Sequence, residues 1–141
     1  MAVDDEDRAT LASSPWRFET RLPRQPRAPA LARHRFGRWV DGELAAGVRS
    51  DALLVLSELV TNSVQHADAP AGASVLVTAE LTDRVLRLEV ADAGHDRRFT
   101  RRRPDLQAGG GFGLQLVERL SLRWGVAETD GTVVWCELAR G

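Results

Sequence analysis

The sequence predicts an α+β fold: a two-layer α/β sandwich whose mostly antiparallel sheet carries its helices on one face. Three observations predict it. Clean apolar–polar alternation runs through 85–92, and strand-like segments lie before and after it. Short turn sequences join neighbouring strands, as at Thr82-Asp83 and Asp130-Gly131. Two helical segments follow one another before the central strands, so the element order reads β-α-α-β-β-loop-α-β-β, which fits a sheet with helices segregated to one face.

Each element has a local reason. Residues 1–14 are polar and acidic, and a disordered tail is expected there. Trp16, Phe18 and Thr20 alternate with Arg17, Glu19 and Arg21, the pattern of a short edge strand. Pro23, Pro26 and Pro29 punctuate a loop, and Pro29 suits the first turn of a helix reaching about Val40, ended by Gly42 or Gly47. Ser50 or Asp51 can cap the next helix, Asp51 to about His66, the most apolar of the chain and so expected deep in the fold. Strands are expected at Ser74–Leu81 and Val85–Asp92. A long irregular stretch, Ala93–Gly111, then holds five arginines and three consecutive glycines. A helix over Phe112–Leu122 and strands over Arg123–Thr129 and Thr132–Leu138 complete the chain.

Composition excludes several kinds of chemistry. The 141 residues carry a net charge of −1, and all 19 basic side chains are arginine. Without lysine there is no Schiff-base nucleophile, no standard P-loop and no strand lysine of the common protein-kinase fold. One cysteine, Cys136, excludes an internal disulfide and a multi-cysteine zinc site, and it is expected in the core. His34, His66 and His95 are too scattered for a metal cluster. The acidic start has no signal-peptide pattern, and the longest strong apolar run, Leu53–Leu56, is far too short to span a bilayer. A soluble cytoplasmic protein is expected, with no membrane partner. Basic blocks at 17–49 and 97–103 alternate with acidic ones, and the balanced total with little aromatic interleaving argues against direct nucleic-acid binding.

Three segments carry candidate chemistry. In Glu58-Leu-Val-Thr-Asn62-Ser-Val-Gln-His66, Glu58 and Asn62 are four residues apart and share a face of an otherwise apolar helix. Their hard oxygen donors suit a Mg²⁺ ion that keeps several waters and takes phosphate oxygens; a polar stripe on an ordinary amphipathic helix fits the same residues. Asp92-Ala-Gly94 stands at a strand end, where the carboxylate can accept a hydrogen bond from an exocyclic amine and the glycine admits a ring; a plain turn also fits. Gly109-Gly110-Gly111-Phe112-Gly113-Leu114 opens a helix, a setting in which backbone N–H groups and the helix dipole bind phosphate.

In this order the three segments resemble the GHKL ATPase superfamily, the Bergerat-type nucleotide fold of gyrase, a heat-shock chaperone and histidine kinases. Glu58–His66 looks like the N box, Asp92-x-Gly94 like the first glycine box and Gly111-x-Gly113-Leu114 like the second. The tail segments Arg123-Trp124-Gly125-Val126 and Gly131-Thr-Val-Val-Trp135-Cys-Glu-Leu138, with Leu22-Pro23 and Trp39 at the front, are similar to small actinobacterial anti-sigma factor serine/threonine kinases. The resemblance covers about 15–139 and implies one histidine-kinase-like ATPase domain there.

The resemblance implies the following roles. Glu58 is the catalytic general base, and Asn62 binds Mg²⁺. Asp92 reads adenine, with Gly94 beside the base, while Gly111, Gly113 and Leu114 hold the phosphates of ATP. Arg97–Arg103 lies in an ATP lid, and one of its arginines can neutralise phosphate charge. The implied partners are a sigma factor, a STAS-like anti-anti-sigma protein that accepts the phosphoryl group, and a second copy in a homodimer. Two positions depart from the pattern: Asp96 stands where a second glycine often follows Gly94, and Thr132 where a lysine often follows Gly131. They favour a second reading, a catalytically weak or inactive partner-binding module of the same fold.

Overall fold

The computed structural model describes residues 16–66, 73–92, 114–129 and 131–141. The strands are β1 (Trp16–Pro23), β2 (Ser74–Leu81), β3 (Val85–Asp92), β4 (Arg123–Thr129) and β5 (Gly131–Ala139); the helices are α1 (Ala28–Trp39), α2 (Ala46–His66) and α3 (Leu114–Leu120). The strands pair in the order β1-β2-β3-β5-β4, every pair antiparallel. β1 therefore lies at an edge, as its charged alternation predicts.

Alternation decides which face the helices cover. Val75, Val77, Ala79 and Leu81 of β2 are buried, as are Leu86, Leu88 and Val90 of β3 and Cys136 and Leu138 of β5. The register joins these side chains on one face: Val77 is opposite Val90, Leu88 opposite Cys136 and Leu86 opposite Leu138. α2 packs on that face across β2, β3 and β5, with α1 and α3 against its flanks. Ala52, Val55, Leu56, Leu59 and Val60 of α2 are almost wholly buried. Burial pushes the Cys136 thiol up to about 11, the state of a core residue rather than a reactive thiol.

Several boundaries differ from the sequence expectation. α2 begins at Ala46, not at a Ser50 or Asp51 cap. Gly47 sits in its first turn, where nothing crowds it, and Gly42, at φ 81°, carries the turn after α1. α1 starts with a proline in its first turn, as expected. α3 ends at Leu120 because the Leu122 N–H donates to the Glu137 carbonyl at 2.7 Å and starts the next strand pair. The turn after β2 spans 82–84 and is held by the Thr82 hydroxyl, which accepts from the N–H groups of Arg84 (3.3 Å) and Val85 (3.1 Å). The expected tail at 1–14, the stretch Ala93–Gly111, Phe112 and Asp130 lie outside the described residues.

The face of the sheet away from the helices carries a paired-charge cluster. Arg87 donates to Glu89 (2.7 Å) and Glu137 (3.0 Å), and Arg123 donates to Glu137 (2.7 Å). Both guanidinium groups lie over the Trp135 ring, that of Arg87 at 4.3 Å. The hydrogen bond from Arg123 holds the Glu137 carboxyl below its ordinary value, with that from Arg87 adding to it against the effect of burial. The Trp135 ring covers Gly125 on the neighbouring strand so closely that a Cβ there would fall 2.9–3.0 Å from three ring atoms.

Two predictions follow from this face. Gly125→Ala displaces Trp135 and lowers stability by about 1–3 kcal/mol, read from urea unfolding midpoints. Because the folded Glu137 value is depressed, its contribution is complete above the unfolded carboxylate range, about 4.3, and is lost as pH falls through the folded value. Unfolding free energy measured against pH in that acid window should flatten in Glu137→Gln.

Candidate functional site

Glu58 and Asn62 stand one turn apart on α2, and both are partly buried. Among the described residues the Asn62 Nδ2 and the Ser63 Oγ are buried without a hydrogen-bond partner. An amide left unpaired in such a place costs free energy unless a ligand or solvent group meets it.

Asp92 ends β3 on the helix-facing side, because it continues the alternation of Leu86, Leu88 and Val90. It is 8% exposed, unusually enclosed for a carboxylate. The register sets it between Val75 of β2 and Thr132 of β5. Thr132 is 6% exposed, and its Oγ1 has no partner among the described residues. Leu114, the first residue of α3, is also buried.

The structure thus places Glu58 and Asn62 on the helix that packs against both the strand ending in Asp92 and the helix starting at Leu114. Gly94, Gly111, Gly113 and Arg97–Arg103 lie outside the described residues. Among the described residues no group of three or more His, Cys, Asp or Glu could hold a metal ion alone. A Mg²⁺ ion held by few side chains completes its coordination with phosphate oxygens and waters. The Asn62 Oδ1 is the kind of hard oxygen donor that Mg²⁺ takes, while its unpaired Nδ2 can only donate, to a phosphate oxygen or a water.

A family model for the histidine kinase-like ATPase domain matches residues 22–137. The chain belongs to this family. No curated protein matches the chain. Membership in the histidine kinase-like ATPase family implies ATP binding and kinase-like or ATPase chemistry, and the all-antiparallel α+β architecture is consistent with that domain.

Thr132 is the residue whose role the sequence left unassigned. It stood out only as a departure from a lysine, and its burial opposite Asp92 appears once β3 and β5 are paired. An unpaired hydroxyl beside a buried carboxylate can bond to an ordered water or a ligand's polar group. Thr132→Val keeps the shape and removes an unpaired polar atom, so folding stability is expected to hold or rise. ATP affinity should fall several-fold, read by calorimetry beside a thermal melt.

Proposed function

We propose that residues 15–139 form an ATP- and Mg²⁺-dependent serine/threonine protein kinase domain of the anti-sigma type, working in the cytoplasm behind the 1–14 tail. It phosphorylates a STAS-like antagonist protein and sequesters a sigma factor, acting as a homodimer. One observation carries the reading: the partly buried Glu58–Asn62 pair, with its unpaired amide, lies on the helix that packs against the strand ending in buried Asp92. Among the described residues no helix is long and apolar enough to cross a membrane.

The residues divide the work. The Asp92 carboxylate accepts a hydrogen bond from the exocyclic amine of adenine, with Gly94 beside the ring. Asn62 offers its amide oxygen to Mg²⁺, which when bound neutralises phosphate charge. Gly111, Gly113 and the N–H groups at Leu114 cradle phosphate oxygens. Glu58 accepts the proton of the attacking serine or threonine hydroxyl as its oxygen bonds to the γ-phosphorus and the bond to ADP breaks.

Thr132, in place of a lysine, favours the second reading, a partner-binding module without turnover. Calorimetry and transfer assays separate the two. Asn62→Ala should weaken magnesium-dependent ATP binding by roughly 10–100-fold. Glu58→Gln should keep ATP binding and lower transfer to the antagonist by about 10²–10⁴-fold. ATP binding without transfer by the wild type would leave the module, and no ATP binding at all would remove the kinase reading and leave a module that acts by partner capture alone.

A further inference from the structure

Among the described residues the arginines differ in what they meet. Arg17, Arg87, Arg123 and Arg140 each pair with a glutamate. Arg27, Arg33, Arg35 and Arg38, on or at the start of α1, are exposed, and among the described residues none of them forms an ion pair. Their hydrogen bonds go to neutral groups only: Arg27 to Gln25, Arg33 to the Ser57 hydroxyl, and Arg35 to the Thr20 hydroxyl and the Arg21 carbonyl. No acid occurs between Thr20 and Val40. Arg27 occupies the N-cap position, at the positive end of the helix dipole, and Arg35 and Arg38 stand three apart with like charge. At about 100° per residue Arg27, Arg35 and Arg38 cluster on one side of the helix, whereas Arg33 stands on the far side against Ser57 of α2. The three like charges of that side are unfavourable by themselves and complementary to an anion.

We infer that the acidic run Asp4-Asp5-Glu6-Asp7 of this chain docks on the arginine face of α1. Charge complementarity is the first argument: this is the densest acidic run in the sequence, and Arg27, Arg35 and Arg38 gather three exposed guanidinium groups without an ion pair among the described residues on one side of α1. Chain geometry is the second. β1 begins at Trp16, whose ring lies 4.9 Å from that of Trp39 in the last turn of α1. The chain therefore meets α1 near its C-terminal end. Residues 8–15 can span at most about 27 Å, and a 12-residue helix is about 18 Å long, so the run can reach the whole face. Tethering is the third: a short link gives the run an effective concentration near millimolar, which an untethered acidic protein must exceed. The segment thus acts as a competitor that any acidic partner must displace. None of the residues assigned to ATP takes part, so the inference stands apart from the nucleotide reading.

The test uses the full chain and a fluorescent oligoglutamate peptide as probe. The variant D4N/D5N/E6Q/D7N should bind the probe about tenfold more tightly than wild type at low salt. That gain should vanish at high salt. It should also vanish when R27Q/R38Q is added, two positions whose side chains bond to no other element among the described residues. Equal probe binding by wild type and the neutralised variant would overturn the proposal. So would a gain that survives R27Q/R38Q. An oligonucleotide that binds the wild type tightly whatever the charge of residues 4–7 would mark the face as a nucleic-acid surface and likewise overturn it. Circular dichroism on each variant confirms that the fold is intact before the comparison is made.

Discussion

The seam between α2 and the sheet governs the rest of the structure. Val55, Leu56, Leu59 and Val60 are shut away from water there, and each buried side chain of this kind is worth about 2 kcal/mol. That burial fixes the rotation of the helix about its axis, and so fixes where Glu58 and Asn62 stand. A polar pair on so apolar a helix is tolerated because the seam is stabilised elsewhere along its length. The same seam orients β3, whose alternation carries Asp92 to the enclosed side at its last residue. The placement of these candidate residues is therefore a by-product of core packing: one helix and one strand are each held by their apolar neighbours.

An all-arginine chain distributes charge in two ways. On the sheet face away from the helices, Arg87 and Arg123 share Glu137 and stack on Trp135, so their charge is spent within the fold. On α1 the guanidinium groups reach only hydroxyls, an amide and a carbonyl, and keep their charge for something else. A planar group with five donors serves both purposes, which a lysine ammonium does less well. The contrast separates structural arginines from available ones without reference to any partner.

Much of the architecture was legible in the sequence because its signals are local. Two-residue periodicity located β2 and β3 to the residue, and the proline at the start of α1 marked that helix. The start of α2 was not legible: Ser50 and Asp51 offered a cap, but Ala46 and Gly47 already continue the helix, and packing against α1 outweighs the capping preference. The end of α3 depended on a hydrogen bond from Leu122 to Glu137, a contact distant in sequence. At the site, Glu58 and Asn62 were readable from helical spacing. The enclosed Thr132 was not, since its neighbour Asp92 lies on another strand and only the register joins them.

The aromatic residues among those described are divided between the two edges of the sheet. Trp16 and Trp39 stack at the β1 edge together with Phe18 and Phe36, while Trp124 and Trp135 belong to β4 and β5 at the other. With no tyrosine in the chain, near-ultraviolet absorbance and emission come almost wholly from these four indoles. Quenching between stacked rings reports one margin, and guanidinium contact with Trp135 reports the other. The protein thus carries an intrinsic optical gauge at each end of its sheet, able to show whether the two margins loosen together or in sequence.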